Sequence, residues 1–255
     1  MAGTVHMSRR GSGIALLEIE NPPANAMNAA MLARMTEALA GVQSDDSVRA
    51  VVLTGRGKAF CSGADLKEAA REATKGSGED LSAFARMLEL VATSRVPTIA
   101  AINGACVGGG FELALCCDIR LASDDATFIC AGVNVGLMAS TYLLPRLIGL
   151  SRAKAMLLSG LPFTAAKVEQ WGLVTELHAA SDLLDGALRI ARRIATRAPL
   201  SIEATKRTTD LSFDMSPEEA RAAAAAELAI LQASTDHREA ITAFVEKREP
   251  KFERR

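Results

Sequence analysis

Three consecutive glycines in Gly-Ala-Cys-Val-Gly-Gly-Gly-Phe-Glu, residues 104–112, open an apolar segment that carries a carboxylate, Glu112, one turn in. Glycine lets a ligand approach bare backbone. The unpaired N–H groups of a helix start, backed by its dipole, stabilise negative charge. A second segment ends in the same way. The hydrophobic run Val51 to Thr54 leads into Gly55-Arg-Gly-Lys-Ala-Phe-Cys-Ser-Gly-Ala-Asp65-Leu-Lys67. Two strand-to-glycine turns could each offer an N–H to a single oxygen, with the Glu112 carboxylate on the first turn of the helix that one of them opens. The helix dipole favours the Glu112 carboxylate, whereas an apolar pocket would raise its pKa.

Other chemistries find little support. The glycines at 104, 108, 109 and 110 do not fit GxGxxG, and no ribose-binding acid follows in a βαβ unit, so a dinucleotide turn is set aside. The five cysteines, 61, 106, 116, 117 and 130, have no metal-ligand spacing and lie in apolar surroundings. They read as reduced core residues. His6, His178 and His237 lie apart and read as surface residues, so no metal site is expected. With 29 basic and 30 acidic residues the net charge is −1, and no block of like charge suggests nucleic acid or a membrane surface as partner. Residues 1–13 lack the apolar core of a signal peptide, and no run is long enough to span a bilayer. A cytoplasmic protein is expected.

The elements that must position these groups follow from periodicity. Ile14 to Ile19 reads as a strand, Asn21 to Asn25 as a turn, 29–43 as a helix with Met31, Leu32, Met35 and Leu39 at core spacing, and Val48 to Thr54 as a buried strand. A polar, glycine-containing stretch at 68–80 reads as a mobile loop, followed by a helix at 80–94. Then come a strand at Thr98 to Ile102, the glycine turn, a helix at 109–117 and a strand at Ile119 to Leu121. Repeated strand, turn and helix argue for an α/β core. Beyond 140 helices dominate, with a strand-like exception at Leu173 to Leu177. Ser216-Pro-Glu-Glu219 has the form of an N-cap followed by proline in the first turn.

Five segments in order carry a resemblance over nearly the whole length: Asn21-Pro-Pro-Ala-Asn-Ala-Met27, Val51 to Lys67, Ala101 to Glu112, Leu161 to Val174, and Ala243-Phe-Val-Glu-Lys-Arg248. On these the chain resembles the crotonase superfamily, the enoyl-CoA hydratase/isomerase group. The resemblance implies a spiral of ββα units over 1–198 and a C-terminal helical region, 199–255, that trimerises, commonly as a dimer of trimers. It implies an oxyanion hole from the N–H groups of Ala64 and Gly109 around a thioester carbonyl. Coenzyme A, entering as part of the acyl-CoA substrate with no tightly bound cofactor, would be lined by Ala24, Ala26, Ser62, Ala64, Asp65, Leu66 and Lys67. Phe244 and Lys247 would reach it from a neighbouring subunit.

The acyl pocket implied contains Gly108, Gly109, Gly132, Asn134 and Tyr142, with Glu112 as one of the two catalytic glutamates of hydratases. At the position aligned with the second stands Gly132, and no carboxylate occurs between Ala126 and Leu161. The following Leu137 to Arg146 segment is also altered. The ordinary two-carboxylate apparatus is therefore missing. Glu112 could hold water alone, with Gly132 leaving space for a second water or a bulkier substrate. Asn134, Ser140, Thr141 and Tyr142 could supply hydrogen bonds, although the lone Tyr142 reads first as core packing. Asp118 and Asp124 read as turn and strand-end charges. Three readings stay open: a hydratase using one glutamate, which is favoured; an isomerase, decarboxylase or other enolate-forming lyase; and a catalytically weak acyl-CoA-binding protein.

Overall fold

The computed structural model describes residues 3–11, 13–74 and 82–255, with the side chains of 72–74 left out. In chain order the elements are β1 (Thr4–Arg9), β2 (Ile14–Glu20), α1 (Ala29–Ser44), β3 (Ala50–Gly55), β4 (Ala59–Cys61), α2 (Leu66–Thr74), α3 (Ser82–Ala92), β5 (Thr98–Ile102), β6 (Ala105–Val107), α4 (Gly109–Cys116), β7 (Ile119–Ser123) and β8 (Thr127–Ile129). A 3-10 turn at Ala131–Val135 precedes α5 (Leu143–Ile148), α6 (Leu150–Ser159), β9 (Pro162–Thr164), α7 (Ala165–Gln170) and β10 (Glu176–His178). Four helices close the chain: α8 (Leu183–Ala195), α9 (Pro199–Leu211), α10 (Pro217–Ala233) and α11 (Thr235–Glu246).

Two sheets take strands alternately. One has the order β1-β2-β3-β5-β7-β10, the other β4-β6-β8-β9. Each pass of the chain thus lays one strand in the large sheet, one in the small sheet and then returns through helix: β3-β4-α2/α3, β5-β6-α4, β7-β8 and onward. This is the expected spiral of ββα turns. Within it β3, β5 and β7 are parallel, as are β4, β6 and β8.

The large sheet is covered on both faces, which is why its strands read as continuous apolar runs. Along β2 and β3, Ala15, Leu17, Ile19, Val51 and Leu53 face the main core with α1, α3 and α4. Their neighbours Ile14, Leu16, Ala50 and Val52 face Leu183, Ala187, Leu188 and Ala191 of α8. Fully burying each of the Val, Leu and Ile side chains among these is worth about 1.5–3 kcal/mol.

Where the two sheets meet, two asparagines hold the crossing. Asn103 accepts from Gly55 N at 3.0 Å and donates to Gly57 O at 3.0 Å. Asn25, fully buried, donates to Ala59 O at 2.7 Å and Arg56 O at 3.0 Å and accepts from Asn21 N at 2.9 Å. These bonds fix the β3–β4 turn that delivers Cys61 to Asp65 to the site.

Several expectations need correction. The stretch expected to be a loop from 68 begins as helix α2, whose polar character reflects an exposed face; residues 75–81 lie outside the described ones. The N-terminal segment contains β1, an edge strand paired antiparallel to β2. The strand expected at Leu173 to Leu177 is shifted to β10, with Leu173 and Val174 buried before it. The three-residue strands β4, β6, β8 and β9 are too short to show a period. The Ser216 N-cap is present with the full reciprocal capping box to Glu219, each of its two bonds closing one end of the first turn. His178 is not a surface residue but half-buried, bonded to Glu176 at 3.0 Å.

Candidate functional site

The edge of the small sheet brings two glycine turns into contact. After β4 the chain turns at Gly63, whose φ of +84° lies in the region L side chains avoid. Extended backbone follows, with Met27 N donating to Gly63 O at 2.7 Å and Asp65 N to Met27 O at 3.1 Å. Because alternate groups of an extended segment point to opposite sides, the N–H of Ala64 faces away from Met27. Across from it, Gly108 at φ +52° gives its own N–H to Ile129 O at 3.0 Å and starts α4. Gly109 is the first residue of that helix, where an N–H has no intrahelical partner. Among the described residues neither Ala64 N nor Gly109 N donates to a protein acceptor.

The two turns touch. A Cβ on Gly63 would lie 2.5 Å from Gly109 N, and one on Gly110 would lie 2.1 Å from Cys61 O. On its other side Gly109 is backed by Phe84 of α3, whose ring tip would stand 2.4 Å from a Cβ there. Glycine is therefore required at 63 and 110, where the obstacle is backbone, and at 63 and 108 by backbone conformation, whereas a Cβ at 109 would have to displace the Phe84 ring.

Glu112 sits on the first turn of α4, half-buried, with its Oε1 accepting from Ser140 N at 2.9 Å. Burial raises its pKa above the ordinary glutamate value, and the Ser140 N–H opposes that rise without cancelling it. Desolvation, one of the influences expected from sequence, outweighs the hydrogen bonding from Ser140. The carboxylate lines a cleft of about 420 Å³ with Leu88, Leu115, Cys116, Met138 and residues 139–143. The thiols of Cys116 and Cys130 are pushed up to about 12, chiefly by burial. They stay protonated near neutral pH, which leaves Glu112 as the carboxyl group of the cleft.

Two expected pocket residues behave differently from the sequence reading. The direction a side chain would take at Gly132 is not open space: Leu137 O would lie 3.1 Å and Ala139 N 3.3 Å from a Cβ there. The loop 136–140 folds back on Gly132, with Leu137 N donating to Gly132 O at 2.8 Å. Tyr142 is not core. It is 53% exposed, caps α5, and gives its hydroxyl proton to Asp214 Oδ2 at 2.5 Å. That bond raises its pKa and commits the proton elsewhere.

Asn134 donates to Gly160 O at 3.0 Å and does not line the Glu112 cleft. Ser62 N bonds Ala24 O at 3.0 Å, so Ala24 and Ala26 run beside the 62–65 segment. The Asp65 carboxylate caps α2, accepting from Lys67 N at 2.9 Å and Glu68 N at 3.3 Å. Leu66 and Lys67 are exposed next to it. Phe244, 84% exposed, and Lys247 stand outward on and just after α11, which packs on α10. Sequence reasoning missed Leu88, Leu115, Cys116 and Met138 as cleft lining. Their apolar identity signals only burial, and their convergence depends on α3, α4 and the 136–143 loop meeting in space. Among the described residues no group of three His, Cys, Asp or Glu side chains could hold a metal ion.

A spiral of ββα turns with paired glycine turns over a helix-borne carboxylate defines a class of fold and site, and the comparisons agree with it. The model of the enoyl-CoA hydratase/isomerase family matches residues 9–255, and the chain belongs to that family. A protein named as a probable enoyl-CoA hydratase from Mycobacterium bovis is 39% identical over 241 residues, covering 89% of this chain and 85% of that one. The 2,3-dehydroadipyl-CoA hydratase of Escherichia coli is 33% identical, over 96% of this chain and 97% of its own. Among solved structures, an enoyl-CoA hydratase from Bacillus anthracis superposes with a TM-score of 0.93 at 29% identity, covering 99% of this chain and 100% of that one. The chain is an enzyme of this family by descent and by fold.

Proposed function

We propose that this protein hydrates a 2-enoyl-CoA using Glu112 as its one catalytic carboxylate. What supports this reading is the contact of two glycine turns, each carrying a main-chain N–H without a protein acceptor among the described residues, at Ala64 and at Gly109, the latter one helical turn from a carboxylate whose pKa burial raises. The thioester oxygen takes both N–H groups, and the enolate that forms as water adds is stabilised more than the starting thioester. Each such donor is worth about 3–4 kcal/mol to the transition state.

In the step itself Glu112, as carboxylate, takes a proton from water while the water oxygen bonds to Cβ and the C=C electrons move to the thioester oxygen. The enolate then collapses, and the proton held by Glu112 goes to Cα. One carboxyl group suffices because the proton removed is the proton returned. The raised pKa suits both halves of that cycle. Around this centre Ala24, Ala26, Ser62, Asp65, Leu66 and Lys67 hold the CoA portion, with Phe244 and Lys247 contributed by a neighbouring subunit. Residues 199–255 provide the trimer or hexamer contacts, and the enzyme works in the cytoplasm without a resident cofactor.

One observation supports a second reading. Among the described residues, Glu112 is the sole acidic side chain lining the cleft, and decarboxylation of a malonyl-type thioester needs the oxyanion hole with less demand on an acid. Loss of the enoyl-thioester absorbance with crotonyl-CoA and longer enoyl-CoAs, compared with Glu112→Gln, tests the proposal. The variant is expected to lose at least about 10³-fold in kcat. A Glu112→Gln enzyme that hydrates as fast as the parent would remove Glu112 from the mechanism. Tight acyl-CoA binding without turnover by the parent would instead favour a carrier.

A further inference from the structure

The loop that gives Glu112 its hydrogen bond is held at two ends. At its start, Leu137 N is bonded to Gly132 O at 2.8 Å. At its end, Tyr142 OH and Arg146 Nη2 both reach Asp214, at 2.5 Å each, one on each carboxylate oxygen. The Arg146 guanidinium also lies over the Tyr142 ring, 3.6 Å from its centroid. Between the anchors Ser140 adopts φ +60°, a conformation disfavoured for any residue with a Cβ. Such a residue persists only when its surroundings over-determine it. Here the strained residue is the one whose N–H meets Glu112.

We propose that Asp214, in the connection between α9 and α10, is a positioning residue that clamps Tyr142 and Arg146 and so keeps the Ser140 N–H on Glu112. The proposal rests on the reading of Glu112 as the base. Asp214 touches neither substrate nor Glu112; it acts through the loop. Both acceptor oxygens are used, so the carboxylate geometry, more than its charge, fixes the loop. The C-terminal helical region thereby takes part in the chemistry of the spiral core within one chain.

The titratable groups facing Glu112 are Cys116 on its own helix, Cys130 after β8 and Tyr142 across the cleft; α3 presents the apolar Leu88 there. The two thiols stay protonated, so a change in the acid limb of the rate profile reports on Glu112. Losing the Ser140 N–H removes a bond that favours the carboxylate, so the Glu112 pKa rises and the acid limb moves to higher pH.

The test compares Asp214→Ala, Asp214→Asn and Tyr142→Phe in the full-length protein by hydrogen–deuterium exchange of the peptide containing Ser140 and by pH–rate profiles. Asp214 is exposed, so all three are expected to fold, which thermal melting checks. In Asp214→Ala, Ser140 exchange is expected to speed up, kcat to fall roughly tenfold with KM within about twofold, and the acid limb to move upward. Asp214→Asn keeps one of the two acceptors and should recover part of the loss. Unchanged Ser140 exchange together with an unmoved acid limb in Asp214→Ala would overturn the proposal, whatever its effect on melting. If the parent enzyme turns over no enoyl-CoA, the hydratase reading fails, and exchange at Ser140 alone decides the clamp.

Discussion

Replacing Gly63 by alanine tests the contact between the two glycine turns, because a Cβ there points at the N–H proposed to bind the thioester oxygen. The added carbon would stand 2.5 Å from Gly109 N, about 0.9 Å short of the 3.4 Å at which ordinary contact begins, with Gly109 Cα at 3.1 Å and Val107 O at 3.2 Å behind it. All three obstacles are backbone, so a rotamer change cannot relieve them. One turn must move, and a displacement near 1 Å at a catalytic contact costs on the order of 10²-fold, similar to losing one oxyanion donor. The positive φ adds about 1–2 kcal/mol of instability on its own account. Gly172→Ala isolates that second effect, since Gly172 has φ +82° and nothing within 4 Å of its would-be Cβ. In enoyl-CoA hydration assays, Gly63→Ala is expected to lose about 10²-fold in kcat/KM, while Gly172→Ala keeps its activity. Both should melt lower by a few degrees. A folded Gly63→Ala enzyme within threefold of the parent would refute the placement of the oxyanion hole between these turns.

Two further outcomes concern stability. Asn25→Ala leaves Arg56 O, Ala59 O and Asn21 N without their buried partner and puts alanine at φ +55°; chemical denaturation should register a loss of about 3 kcal/mol or more. Glu203 is nearly fully buried; burial pushes its pKa up, but bonds from Arg254 at 2.9 Å and Arg95 at 2.6 Å outweigh this and hold it below 4.5. Its contribution is present in full above that value and fades as pH falls through the lowered folded pKa. The stability gap between the parent and Glu203→Gln should therefore narrow on acidification in melts below pH 4.5, and a gap that widened would contradict the assignment.

How much was legible depended on how local the signal was. The Thr98–Ile102 strand and the helix from Ala29 announce themselves because burial on both faces imposes a continuous apolar run and burial of one helix face imposes a recurring apolar spacing. Strands of three residues such as Ala59–Cys61 and Ala105–Val107 impose none, although they carry the turns that build the site. The α2 helix was hidden by its polarity. Tyr142 was misjudged because an aromatic among leucines reads as core, whereas its hydroxyl is drawn outward by Asp214, a residue 72 positions away.

The residue types themselves determined the chemistry available: two glycine turns able to offer main-chain N–H groups and a helix-borne carboxylate at Glu112, with the family resemblance pointing to Ala64 and Gly109 as the donors and to position 132 as lacking a second carboxylate. Those are properties of single residues and their immediate neighbours, and no packing can add a missing carboxylate. Only the tertiary structure decided that the Gly63 and Gly109 turns abut, that backbone fills the side-chain direction at Gly132, and that Ser140 caps the Glu112 carboxylate. Each is a contact between segments remote in the chain, and its distance is set by the crossing of two sheets and the close packing of helices upon them, which local sequence patterns do not encode.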